Sequence, residues 1–273
     1  MKKVFSWAFA AALICGLNVF SSCSNDDNPV KPADNLAEKI IGKWMTADID
    51  GQPALTNEKA VITFLSATKA IVSESKTDFT ESKIKWAAHL EYDVEISGNK
   101  VTITGHPDEN FTLVQEYTVT AIDNAQMLAI LKHTTYHNGE AKPHADQYVR
   151  FEKTTADYSE AILGLWECKG LSGGETYNDG NDRLEFFEDG TYQYWRKNDA
   201  GEWEAVTTRE FQDYFVDGNF LATRWKNEGE DELREWWEIK SLKGDKMQWK
   251  ALRQNEDGST FEQTMDWEKI EED

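Results

Sequence analysis

The side chains able to do chemistry are unevenly spread along these 273 residues. All five histidines (His89, His106, His133, His137 and His144) fall in the first half, and eight of the eleven tryptophans come after Ser159. On one strand face His133 and His137 would lie about 13 Å apart, too far to share a metal ion. His137 and His144 flank a loop, which reads as solvated. Asn178-Asp179-Gly180-Asn181-Asp182 offers calcium-friendly oxygens, but its glycine comes too early for an EF-hand loop, so it reads as a polar turn. With 50 acidic residues, carboxylate pairs are unavoidable, and the sequence fixes none at the separation glycoside hydrolysis needs. Gly-x-Ser-x-Gly, His-Glu-x-x-His, P-loop and Cys-x-x-Cys patterns do not occur. The expectation is a chain without catalysis, cofactor or metal.

Aromatic residues carry more information, because strand alternation sorts them by face. Met247, Trp249 and Ala251 share an apolar face. Phe261, Met265 and Trp267 share another, set against Glu262, Thr264, Asp266 and Glu268. Trp237 is in phase with Ile239, and Tyr192 with Tyr194. Tyr192, Tyr194, Trp237, Trp249 and Trp267 are therefore the candidate ligand-binding wall of an interior. Alternation leaves two outcomes open: a lumen filled by these side chains, or one with room for a ligand. Trp195 and Trp236 take the opposite phase and are candidate exposed aromatics. Outward indoles have three uses: packing between two bodies, stacking on sugar rings, or touching a partner protein.

The formal charge of −21, from 29 basic and 50 acidic side chains, argues against a nucleic-acid partner, since phosphates would meet net repulsion. Three cysteines cannot make a disulfide framework, so packing must hold the fold. Cys168 shares a strand face with Trp166 and reads as a buried thiol.

Met1-Lys2-Lys3 gives a basic start, and an apolar run from Val4 to Phe20 leads to Ser21-Ser22-Cys23. That is a secretory signal peptide over residues 1–22, near the short limit for a membrane span. Small residues before a cysteine resemble the bacterial lipobox, which implies that Cys23 becomes a diacylated N-terminus. Ser24-Asn25-Asp26-Asp27-Asn28 is similar to the acidic tag that sends Bacteroidetes lipoproteins to the outer face of the outer membrane. Residues 23–36, with Pro29 and Pro32, read as a lipidated tether. The resemblance implies an outer-membrane, cell-surface location held by a lipid anchor.

One unit is written twice. Glu38-Lys39-Ile40-Ile41-Gly42-Lys43-Trp44 recurs as Glu160-Ala161-Ile162-Leu163-Gly164-Leu165-Trp166. The copies also end alike, at Gln147–Lys153 and Gln263–Lys269. Thr154–Ser159 is a short polar joint, which predicts domains over 37–155 and 156–273. Within each copy, alternating runs are cut by pairs such as Asp189-Gly190, Asp217-Gly218 and Asn138-Gly139, a strong hairpin signal. The fold class expected is all-β: two tandem antiparallel up-and-down meander β-barrels of about eight strands each.

A short helical turn followed by Gly-x-Trp at the head of such a meander resembles the lipocalin-like (calycin-type) domains, and more narrowly those of Bacteroidetes lipoproteins. The resemblance implies that Gly42, Trp44, Gly164 and Trp166 close the barrel bases, with a last-strand arginine packed across each indole. Arg150 lies in that strand of the first copy but in an outward phase, and the second copy has Asp266 there. The functional expectation is a non-catalytic surface lipoprotein that takes a small apolar or amphipathic ligand into a barrel. The alternatives are glycan binding through Trp195 and Trp236, and an accessory subunit docking an outer-membrane protein.

Overall fold

Short alternating runs separated by glycine turns can satisfy their backbone groups only by pairing with neighbours, and they do so throughout the chain. The computed structural model describes residues 35–74, 88–173, 181–206, 208–209, 212–226 and 232–270. The signal segment 1–22, Cys23, all but the end of the tether and Asn178-Asp179-Gly180 lie outside the described residues. Among the described residues no helix is long and apolar enough to cross a membrane. Both sheets described below belong to one compact unit, Pro32–Asp273.

A single helical turn, α1 (Leu36–Lys39), opens the first copy. Its strands are β1 (Gly42–Ile49), β2 (Gln52–Pro53), β3 (Ala60–Phe64), β4 (Lys69–Glu74), β5 (Leu90–Ser97), β6 (Lys100–Asp108), β7 (Phe111–Ile122), β8 (Gln126–His137), β9 (Glu140–Pro143) and β10 (Gln147–Thr154). The second copy follows with β11 (Gly164–Ser172), β12 (Asp182–Phe186), β13 (Tyr192–Lys197), β14 (Trp203–Ala205), β15 (Gln212–Asp217), β16 (Phe220–Trp225), β17 (Leu233–Lys243), β18 (Lys246–Gln254) and β19 (Thr260–Lys269). In the first sheet β10-β1-β3-β4-β5-β6-β7-β8 run in order and β8 pairs back to β10, closing an eight-stranded antiparallel barrel. The second sheet traces the same circuit, β13-β12-β11-β19-β18-β17-β16-β15, with β14 added beyond β13. It curls without fully closing, because its ends meet at one bridge, Thr191 to Asp213. The predicted all-β tandem of meander barrels is the architecture observed.

Duplication extends to the irregularities. β1 slips register against β10 between Thr46 and Asp48, and β11 does so against β19 between Cys168 and Gly170. β7 slips against β8 between Val119 and Ala121, and β17 against β18 between Ile239 and Ser241. Such bulges sharpen the local twist that bends a sheet toward closure.

Each base is built in the same way. Trp44 and Trp166 are fully buried, and each indole N–H donates at 2.6 Å to a carbonyl of the preceding turn, Ile40 and Ile162 respectively. Gly42 has φ 122° and Gly164 φ 104°, a region that side chains other than glycine's rarely enter. A Cβ there would stand 2.7 Å from Lys153 Cε and 2.9 Å from Lys269 Cε. Those lysines carry their ammonium groups 5.0 Å above Trp44 and 5.4 Å above Trp166. The cation implied over each indole is thus a lysine of the last strand. Arg150 instead pairs with Asp48 and, at 2.6 Å, with Glu152.

Met45 and Val61 of the first sheet meet Phe215, Phe220 and Ala222 of the second in a separate apolar cluster. Around it, Asp217 binds Lys43 at 2.6 Å and accepts the Ser73 hydroxyl at 2.7 Å. Lys59 reaches Glu238 at 3.2 Å, and the Leu252 amide donates to the Thr56 hydroxyl at 2.7 Å.

Candidate ligand-binding site

The two barrels treat their interiors differently, and the difference starts with a few side chains at matching positions. In the first barrel Tyr92 faces Gly105 across β5 and β6, and its ring lies where a Cβ on Gly105 would stand. Tyr117 packs edge-on to Phe151, with centroids 5.8 Å apart. Its hydroxyl donates at 3.0 Å to the Gln115 amide oxygen, and the Gln115 amide donates at 3.0 Å to Glu74. Burial pushes the phenols of Tyr92 and Tyr117 far above their ordinary pKa, with the nearby Glu74 charge adding to it, so both stay neutral and act as packing. Both rings belong to the buried core of the first barrel.

In the second barrel the position matching Tyr92 is Gln212, which faces Trp225. The Gln212 amide oxygen does not enter the lumen; it accepts the Tyr194 backbone N–H at 2.8 Å, supplying an acceptor at the open seam. Across that pair Trp225 stands where the first barrel has Gly105, and a cavity of about 370 Å³ lies among the side chains of the second barrel. All five aromatics expected on the interior wall, Tyr192, Tyr194, Trp237, Trp249 and Trp267, line it. Trp249 lies at the centre of the cluster, its ring centroid 4.7 Å from Trp267, 5.7 Å from Trp237 and 6.2 Å from Phe186. Trp237, Trp249 and Trp267 are each at least nine-tenths buried.

The sequence reading missed the polar half of the cavity. Arg253 continues the face of Met247, Trp249 and Ala251. Gln263 shares the face of Met265 and Trp267, and Arg196 follows Tyr192 and Tyr194 in phase. All three line the cavity together with Asp182, Glu235 and Trp225. The signal was present as an apolar face ending in a charge, which on a barrel strand marks the passage from floor to mouth. The charges form two pairs. Arg253 binds Glu235 at 2.5 Å and the Gln263 amide oxygen at 2.7 Å, and its guanidinium lies 4.6 Å over Trp237. Arg196 binds Asp182 at 3.1 Å and donates to the Tyr194 hydroxyl at 2.6 Å. Desolvation holds the Tyr192 and Tyr194 phenols well above the usual range, and for Tyr194 the adjacent Asp182 carboxylate pushes in the same direction. Both are neutral donors at any ordinary pH.

Trp195 and Trp236 turn away from this lumen, as their phase predicts, but both are half-buried rather than exposed. Trp236 pairs with Ala222 and packs against the cluster between the two sheets, because the outer face of β16 and β17 is the face that meets the first barrel. Among the histidines, His133 stacks on His144 at 4.7 Å, while His137 lies against Phe111 at 5.3 Å. Cys168 is buried, and its thiol donates to the Gly170 carbonyl at 3.7 Å.

No known protein-family profile matches the chain, and no curated protein matches it. Several solved structures are similar to parts of it. Transferrin-binding protein B from Haemophilus parasuis, as a double-alanine variant, is 8% identical with a TM-score of 0.25 over 81% of this chain and 62% of that one. The isotype 1 transferrin-binding protein B from serogroup B Neisseria meningitidis is 9% identical with a TM-score of 0.24, covering 78% of this chain and 65% of that one. A protein of unknown function from Nostoc punctiforme is 11% identical with a TM-score of 0.20, covering 85% and 97%. The chain thus spans less than two thirds of the length of the two transferrin-binding proteins. At these values the likenesses carry no argument about what the chain binds.

Proposed function

We propose that this chain is a non-catalytic surface lipoprotein whose second barrel binds a small apolar or amphipathic ligand. The observation that carries the reading is the second lumen, which keeps about 370 Å³ between aromatic walls and a charged mouth. That volume falls within the roughly 300–1,000 Å³ typical of small-molecule sites. Burying apolar ligand surface against the indoles would supply about 25 cal/mol per Å². The lipid anchor at Cys23, the outer-membrane location and the division into barrels over 37–155 and 156–273 belong to the same proposal and rest on the sequence patterns.

Glycan binding through Trp195 and Trp236 is the weaker reading, because Trp236 is half-buried and packs against the cluster between the sheets.

The test is a fluorescence titration of the intact protein with a panel of sterols, fatty acids and polycyclic aromatics. Trp237, Trp249 and Trp267 sit on the cavity wall, so a saturable change in tryptophan emission is expected with at least one compound. No response across the panel would sink the lumen reading.

A further inference from the structure

Resting on that lumen reading, we infer that the second barrel selects an uncharged ring compound that leads with a hydrogen-bond acceptor such as a carbonyl oxygen. Two observations carry this independently. First, the indole nitrogens of Trp249 and Trp267 are buried without a hydrogen-bond partner, although the corresponding donors of Trp44 and Trp166 each have a carbonyl at 2.6 Å. The neighbouring π faces are at best second-order acceptors, and a buried donor left unmade is costly enough that proteins rarely tolerate it. Both rings wall the cavity, so an oxygen brought in by a ligand is the available partner. The nitrogens are sealed from solvent in this arrangement, so the acceptor reaches them by shifting the packed indoles.

Second, the charges at the mouth are already matched. Asp182 holds Arg196 and Glu235 holds Arg253. A ligand carboxylate would have to compete with a carboxylate for its arginine, and a ligand ammonium would have to displace a guanidinium. Neither charge finds an unpaired complement in the cavity lining, and desolvating it would add a further penalty. A neutral ligand loses nothing by this pairing. Flat rings suit walls made of indole and phenol faces, which stack on π systems in offset or edge-on geometries.

Four naphthalenes of similar size test the inference on the full chain by calorimetric titration: 2-acetylnaphthalene, 2-ethylnaphthalene, 2-naphthoate and a naphthylmethyl-trimethylammonium salt. The ketone is expected to bind about five- to tenfold more tightly than the hydrocarbon, the advantage of one neutral hydrogen bond, and more tightly than either ion. In Trp249→Phe and Trp267→Phe, which keep an aromatic ring but lose the N–H, the ketone's advantage should shrink toward unity while the hydrocarbon still binds. Equal binding of ketone and hydrocarbon to the native protein would overturn the inference and leave the lumen reading intact. So would tighter binding of the carboxylate or the ammonium, or a ketone advantage that persists in both variants. If none of the four binds while a compound of the fluorescence panel does, this inference falls and the lumen reading stands; if nothing binds in either experiment, both fall. The native-protein comparison stands even where a variant fails to fold.

Discussion

At the scale of single residues, each barrel base depends on the absence of a side chain. Gly164 lets β11 begin at φ 104° and leaves room for the Lys269 stem to cross to the face of Trp166. The buried indole then needs only the Ile162 carbonyl to satisfy its one donor. Replacing Gly164 with alanine adds a Cβ in a strained backbone region and against the lysine Cε at 2.9 Å. We expect Gly164→Ala to destabilise the protein by roughly 1–3 kcal/mol, read as a lower urea midpoint at unchanged slope. A variant as stable as the parent would mean that the base does not constrain the fold. The repeated Glu-Lys at the end of each copy already carried this device in the sequence. What hid it was the expectation of an arginine where the chain uses lysine.

At the scale of elements, the informative comparison is between two hairpin neighbours that ought to be alike. β4 and β5 pair from Lys69 opposite Asp93 to Val72 opposite Leu90. The matching strands β13 and β15 keep only the bridge from Thr191 to Asp213. The side chains differ there as well: Ala70 and Val72 at the first seam are replaced by Tyr192 and Tyr194 at the second, each opposite the corresponding residue of its hairpin. Backbone amides without a ladder partner open at lower free energy. Hydrogen exchange should therefore be faster in Tyr192–Lys197 and Gln212–Asp217 than in Lys69–Glu74 and Leu90–Ser97. Equal protection at the two seams would contradict the idea that the second barrel is held less tightly there.

At the scale of the whole molecule, the two sheets share more than a linker. Phe220 is fully buried and packs edge-on to Phe215 at 5.8 Å, in the cluster completed by Met45 and Val61. Asp217 and Glu238 are buried at the same contact and are tied to Lys43 and Lys59. Ion pairs this deep contribute more to fixing an arrangement than to net stability, so the apolar cluster supplies the adhesion. Phe220→Ala should cost roughly 3–5 kcal/mol and separate one unfolding transition into two, the second-barrel step followed by tryptophan emission and both steps by circular dichroism. A single transition merely shifted to lower denaturant would show that the barrels remain coupled without this ring.

How much was legible follows from where the information lies. Strand identity, turn positions, the duplication and the inward phase of Tyr192, Trp237, Trp249 and Trp267 are local or periodic properties, and the chain writes them out by itself. How much room a lumen keeps is not local. It depends on how side chains from separate strands share the interior, as Tyr92 does with Gly105 in the first barrel and Gln212 with Trp225 in the second. The polar mouth was half legible, since Arg253 and Gln263 continue faces read as apolar, but their partners Glu235 and Trp237 come from another strand. Trp236 shows the same limit: alternation determines which side of the sheet a ring takes, and only the docking of a second body determines whether that side is covered. Periodicity is set by backbone geometry along one strand, whereas cavities and contacts are set by how far separate strands let their side chains approach, and that distance exists only in the folded molecule.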